Sequence, residues 1–341
     1  MTGEEFKQAL ETRIEAWFES EKTKAPTLEA RELVHRMHTL VQRGGKRSRP
    51  ELLFLTYRAY GGKNPESIID LGVALEIYHQ FLLVHDDIMD GDVVRYGGPN
   101  VVGMYQSEGV TDVAESMGIL AGDLLFTYAN RLILESASLS GDIKMELLQS
   151  LHAVNADELF GQQLDILNTV EHIDDFSEEL ITRIHELKTA RYTTQLPMIA
   201  AAIVLGLSHE ERQKLETFGR QFGIAYQLAD DYADYFENPS SFSAQKYRDY
   251  RSGKVTYPIY LGLARATPAD RELLRQDFGN KHCSDAVITD VLSVLDACGA
   301  REHSRQRALE YLDEALVSLE TLHASDEAKM ALRHLLEKIR V

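Results

Sequence analysis

Apolar residues recur at three- and four-residue spacing along almost the whole chain, and the alternation of a half-buried strand is scarce. Breaks fall at Pro26, Gly44-Gly45, Gly61-Gly62, Gly97-Gly98-Pro99, Ser140-Gly141, Asn238-Pro239-Ser240-Ser241 and Pro268. Between them the pattern predicts helices over roughly 3–21, 27–42, 47–60, 65–89, 111–137, 142–168, 176–205, 209–236 and 255–266, with four more amphipathic helices to the end. No low-complexity linker or compositional shift marks a second domain. The expectation is one all-α domain over 1–341, a bundle of long helices around a deep central cavity.

Two of these helices end in acid. Leu71 to Val84 and Phe218 to Ala229 are largely apolar, and they run into Asp86-Asp87-Ile88-Met89-Asp90 and Asp230-Asp231-Tyr232-Ala233-Asp234. Asp86 and Asp90 lie one turn apart on one face, as do Asp230 and Asp234. Such pairs repel, losing a few tenths of a kcal/mol in an isolated helix. Two copies of the arrangement call for a compensating cation, and carboxylate oxygens suit hard divalent ions such as magnesium.

The chain carries a formal charge of −18, which argues against nucleic-acid or anionic-membrane surfaces. Anionic substrates remain open if the few cations converge. Cys283 and Cys298 are the two cysteines, too few for a disulfide framework or a zinc pattern. The start, MTGEEFKQAL, lacks a signal-peptide layout, and the longest apolar run, Met198 to Leu207, is about half a membrane span. A cytoplasmic protein without a transmembrane segment is expected.

Candidate cations cluster around these motifs. Gly44-Gly45-Lys46-Arg47-Ser48-Arg49-Pro50 places mobile backbone and three cations before a helix, a pattern that suits an anion. His79 precedes Asp86 by two turns and shares its face. Arg95 hangs in the loop after the first motif. Gly161-Gln162-Gln163-Leu164-Asp165 puts a glycine in mid-helix, a sign of close packing or a site. Lys188-Thr189 and Gln227 lie on helices, and Lys246 and Lys254 follow the second motif.

In this order, Gly-Gly-Lys-Arg-x-Arg-Pro, His79, Asp-Asp-Ile-Met-Asp, Lys-Thr, Gln-x-x-Asp-Asp-x-x-Asp and Gly-Lys-x-Thr resemble the trans-isoprenyl diphosphate synthases, over about residues 35–262. The resemblance implies the isoprenoid synthase fold and condensation of isopentenyl diphosphate with an allylic diphosphate. It implies two to three magnesium ions held by Asp86, Asp90 and Asp230, with Asp87, Asp231 and Asp234 at or behind the metals. Arg95, Lys188 and Lys254 would neutralise the allylic diphosphate, assisted by Thr189, Gln227 and Lys246. Gln162 and Asp165 would orient water on the metals. Lys46, Arg49 and His79 would take isopentenyl diphosphate. Family members are mostly homodimers, with helices near 111–168 at the contact.

Two positions refine the expectation. The family usually carries two consecutive arginines after the first motif, whereas here Tyr96 stands in place of the second. Phe81, five residues before Asp86 and about 7.5 Å down the helix, would close the product pocket at farnesyl or geranylgeranyl length, with Tyr78, Met117 or Leu120 as other candidates for the floor. Two other functions are compatible with acidic motifs. A class I terpene cyclase needs no Lys46, Arg49 and His79 site, and a non-catalytic prenyl-diphosphate-binding subunit would not need both motifs complete.

Overall fold

The computed structural model describes residues 1–167, 176–237, 247–339 and 341. Lys246, expected to assist the allylic diphosphate, lies outside them. The chain divides into two compact units, one built from Met1–Ser150 with Ala200–Gly206, the other from Leu151–Ile199 with Leu207–Val341.

The first unit opens with α1 (Gly3–Lys24), α2 (Leu28–Gln42) and α3 (Ser48–Ala59). A capping box starts α1, with Thr2 accepting from the Glu5 N–H and Glu5 reaching back to the Thr2 N–H. A 3₁₀ turn at Pro65–Ile68 leads into α4 (Ile69–Asp90). This helix is buried on most sides, from Leu71 through Tyr78, and packs against α1, α3 and α6 (Ala114–Glu135). It stops at Gly91, whose left-handed backbone (φ 65°) lets its N–H cap the Asp87 and Ile88 carbonyls. The first aspartate motif therefore occupies the last turn of a core helix. Between α4 and α6 lie a two-stranded hairpin, β1 (Val94–Arg95) and β2 (Gly98–Pro99), and α5 (Val101–Ser107).

Of the remaining helices, α7 (Gly141–Leu167) and α9 (Leu196–Val204) contribute residues to both units. The second unit contains α8 (Glu178–Ile184), then a π-helical segment, His185–Gln195, that continues into α9. Next come α10 (His209–Phe236), α11 (Arg248–Ser252) and α12 (Tyr257–Arg265). The tail supplies α13 (Pro268–Gln276), α14 (Asp285–Ala297), α15 (Ala300–Thr321) and α16 (Asp326–Glu337), the four amphipathic helices expected there. The long α10 lies against the π-helical segment and α15. Ser208 caps its start, and the second aspartate motif forms its last two turns.

The all-α expectation holds, and most boundaries fall within a few residues of those predicted. The stretch read as one helix over 176–205 is instead α8, π-helix and α9 in succession. Although no membrane span is expected from the sequence, Pro65–Asp90 and Ala114–Glu135 are long and apolar enough to cross one. Their apolar windows are 72% and 44% buried inside the protein.

Candidate active site

At the end of α4 the three aspartates differ in surroundings. Asp86 and Asp90 are half-buried, whereas Asp87 is 1% exposed. Arg95 folds back onto Asp87, donating from Nε to Oδ1 at 2.7 Å and from Nη2 to the same oxygen, with Asp86 Oδ2 3.8 Å away. The hairpin makes this possible, since Tyr96 and Gly97 at its turn both have positive φ (53° and 72°). The loop is tied to the helix end by Asp92 N–H on the Asp87 carbonyl (2.7 Å) and by Asn100 Nδ2 on the Asp92 carbonyl (2.7 Å). Burial raises the Asp87 carboxyl, and the Arg95 guanidinium works against that rise.

The same turn directs Tyr96 toward the glycine loop. Its hydroxyl would meet a Cβ on Gly45 at 3.5 Å, and its phenol lies beside Gln80. Burial, then the Glu76 carboxylate, push that phenol up, so it stays protonated. Gly44 and Gly45 have φ of +116° and +142°, backbone that side chains rarely adopt. Arg49 is buried beside His79, whose imidazolium is driven well down by burial and by Arg49, Arg95 and Arg47. Arg49, His79, Arg95 and Tyr96 thus come together with a neutral imidazole among the cations. Lys46 is exposed and borders a cavity of about 260 Å³ that α1 also lines. Arg47, the third cation of the motif, is committed inward to Glu11 and Glu76.

One turn and more below the acids, Phe81 (5% exposed) packs at a tilt against Tyr78 and Phe126, with ring centroids at 5.8 and 5.1 Å. The His85 ring sits edge-on to Phe81 at 5.0 Å. This closeness depends on α6 having Gly118 and Gly122 where it crosses α4; a Cβ on Gly118 would lie 2.8 Å from Ile88 Cδ1. Of the other floor candidates, Tyr78 is fully buried in the cluster, Met117 is half-buried and Leu120 is 51% exposed.

In the second unit, the π-helical segment carries Lys188 and Thr189. It runs close to α7 and α10 because glycines face it. A Cβ on Gly161 would lie 2.5 Å from the Lys188 nitrogen, and one on Gly223 would lie 2.5 Å from Ala190 Cα. The mid-helix Gly161 is therefore a packing glycine. Lys188 is ion-paired with Asp165, and Gln162 is buried one turn before it on α7. Thr189 donates to Gln227 Oε1 (3.0 Å), and Gln227 Nε2 donates to Asp231 Oδ1 (2.9 Å). Asp231 is 2% exposed and also meets His185 Nε2 (3.2 Å) and the Tyr257 N–H (3.2 Å). Burial alone would raise its carboxyl, but His185, Gln227 and the Tyr257 N–H hold it below the usual range. Asp230 is exposed. Asp234 accepts the Arg248 and Asp249 N–H groups, each at 3.3 Å.

Sequence reasoning did not find His185, Asp249 or Phe126. Asp249 stands near the second motif, and burial with the charges of Asp234, Asp231 and Asp230 pushes its carboxyl well up, relieved in part by Lys254. Burial likewise raises Asp234. This crowd of carboxylates is a donor set that fits a hard divalent ion. Asp86 and Asp90 fit one too, since they add charge at the negative end of the α4 dipole.

The family model for polyprenyl synthetase matches residues 30–295. A short chain isoprenyl diphosphate synthase of Methanothermobacter thermautotrophicus is 34% identical over 291 residues, 84% of this chain and 83% of that one. An octaprenyl diphosphate synthase of Escherichia coli is 29% identical over 301 residues, 87% and 86% of the two chains. Among solved structures, a geranylgeranyl pyrophosphate synthase from Corynebacterium glutamicum, complexed with isoprenyl diphosphate and magnesium, matches at TM-score 0.91 and 27% identity. It covers 100% of this chain and 99% of its own. The chain belongs to the polyprenyl synthetase family of prenyl-transferring enzymes.

Proposed function

We propose that the protein condenses isopentenyl diphosphate with an allylic diphosphate, dimethylallyl, geranyl or farnesyl, to give a farnesyl or geranylgeranyl diphosphate. The observation that carries this reading is the split within each motif. Outer aspartates, half-buried or exposed, are set on a buried middle one, which Arg95 holds in one motif and His185 in the other.

Asp86 and Asp90, and Asp230 with Asp234, are the residues that would hold magnesium, two to three ions in all. Magnesium bound there would supply positive charge to offset what gathers on the departing diphosphate. Arg95, Lys188 and Lys254 would each add a fixed cation for the diphosphate, worth more in the transition state than in the ground state because the leaving group gains charge as its bond to carbon breaks. The ion pair of Lys188 with Asp165 sets where that ammonium stands. Thr189 and Gln227 present a hydroxyl and an amide beside it. Tyr78, Phe81 and Phe126 supply an apolar, water-excluding wall for the carbocation. Lys46, Arg49 and the neutral His79 take isopentenyl diphosphate, and the proton lost after condensation passes to the released diphosphate.

Incubation with magnesium, isopentenyl diphosphate and each allylic diphosphate in turn tests this reading. A longer prenyl diphosphate is expected; a hydrocarbon product would make the protein a cyclase, and no turnover would make it a binder. In the same assay Phe81→Ala shifts products to longer chains, because it removes the ring that fills the space beside Phe126. Unchanged product length would move the floor elsewhere. Tyr96→Arg restores one charge-assisted contact of about 1.5–3 kcal/mol, so the KM for isopentenyl diphosphate falls roughly tenfold or more. An unchanged KM would overturn the role given to this position.

A second copy of the chain is the proposed partner. Ile119, Leu120 and Leu134 on α6, and Leu159, Phe160 and Ile166 on α7, are large apolar side chains left exposed on the helices where the family makes its dimer contact.

A further inference from the structure

His185 opens the π-helical segment and is 6% exposed. Its Nε2 faces Asp231 Oδ2 at 3.2 Å, and its Nδ1 is buried with no hydrogen-bond partner among the described residues. The ring is therefore turned wholly to one carboxylate. That carboxylate receives two further donors, Gln227 Nε2 on Oδ1 and the Tyr257 N–H on Oδ2. Gln227 in turn accepts from Thr189. Asp231 thus ties together three stretches of chain, and each carries a residue of the proposed site. The π-helical segment bears Lys188 and Thr189, α10 bears Asp230, and Lys254 lies just before Tyr257.

Both oxygens of Asp231 are already taken, and the group is almost wholly buried, so it would stand behind a bound metal and not on it. Its orientation still matters to the metal. Successive residues on a helix point about 100° apart, so a carboxylate pinned inward at 231 sets the direction in which its neighbour Asp230 faces out. We propose that His185 is a positioning residue: by holding Asp231 it fixes the outward aim of Asp230 and the placing of the Lys188–Thr189 segment against α10. This rests on the function proposed above. It assigns a task to a residue that the aspartate and Lys-Thr motifs do not contain.

The test compares wild type with His185→Phe, which keeps a ring and loses the donor, and His185→Asn, which keeps an N–H. Mn²⁺ is titrated into each protein with inorganic pyrophosphate present, and free Mn²⁺ is read by electron paramagnetic resonance. Near-UV circular dichroism reports the fold. A partner that orients a ligating side chain typically contributes 10–100-fold in metal affinity or activity. His185→Phe is therefore expected to weaken Mn²⁺ binding by roughly 10–100-fold and to lower kcat with the allylic substrate. The KM for isopentenyl diphosphate should stay unchanged, and His185→Asn should recover most of the Mn²⁺ affinity. A natively folded His185→Phe protein that binds Mn²⁺ like wild type overturns the proposal, as does an Asn variant no better than Phe. If the phenylalanine ring prevents folding, His185→Leu takes its place with the same readouts. A wild type that transfers no prenyl group sinks the functional reading, and the Mn²⁺ titration still decides the positioning role. A wild type that turns over beside a variant of unchanged Mn²⁺ affinity sinks this inference alone.

Discussion

Asp230→Asn lowers kcat by roughly a thousandfold and leaves the unfolding midpoint at the wild-type value. The two halves of this result have separate physical causes. Asp230 is exposed at the end of α10, and substitutions at exposed positions usually change stability by less than about 0.5 kcal/mol. The asparagine keeps the size and one oxygen but removes the charge that a hard cation needs. Charge stabilisation of the leaving group is lost in the transition state more than in the bound substrate, so the loss appears in kcat. Steady-state rates with saturating allylic and isopentenyl diphosphates, repeated over a magnesium series, measure it. Asp231, one residue on, should behave in the opposite way. Its carboxylate is buried under three donors, so Asp231→Ala strands His185, Gln227 and the Tyr257 N–H and lowers stability first. An Asp230→Asn enzyme with more than a tenth of wild-type kcat would place the metal elsewhere.

That contrast marks what periodicity and motif spacing can and cannot reveal. Helix positions follow from the 3.6-residue pattern, and the ends of α4 and α10 fall at the acids because the apolar runs stop there. Gly91 is a recognisable stop signal. The ordering of burial within each motif is invisible in the letters, since three aspartates look alike until neighbouring chain covers one of them. Asp87 is covered by a hairpin whose turn needs positive φ at Tyr96 and Gly97, and Asp231 by the start of α12. The π-helical segment escapes for a different reason. An i→i+5 register leaves no composition mark, and here it accompanies glycines on partner helices, Gly161 and Gly223, that only their neighbours explain. The aromatic cluster proposed as the pocket floor is half legible: the five-residue offset picks out Phe81, while Phe126 comes from α6 and is seen only once the helices pack.

Arg47→Ala is the substitution expected to destabilise the protein most, by about 3–5 kcal/mol. In the sequence Arg47 is one of three cations beside two glycines, and it resembles its neighbours Lys46 and Arg49 as an anion ligand. In the structure it is 4% exposed and fully used. Its Nε donates to Glu11 Oε1 at 2.8 Å, Nη1 to Glu76 Oε1 at 2.7 Å, and Nη2 to the Val41 carbonyl at 2.8 Å. Burial opposes its charge, but Glu76 and Glu11 outweigh that and raise its pKa, so the guanidinium stays charged across the working range of pH. Among the described residues, truncation leaves the Glu76 carboxylate, also buried, with the Gln80 amide at 3.2 Å as its remaining donor. An uncompensated buried charge of this kind is what makes breaking such a pair expensive. The damage should reach function as well, because Glu76 and Gln80 flank His79 and the Glu76 charge acts on Tyr96. The KM for isopentenyl diphosphate should rise even where the variant is folded. Urea denaturation reads the stability, and the double variant Arg47→Met with Glu76→Gln separates charge from packing: removing both charges together should recover most of the loss. If Arg47→Ala unfolds at the wild-type urea concentration and only the KM moves, Arg47 acts on the substrate and the inward ion pair is incidental.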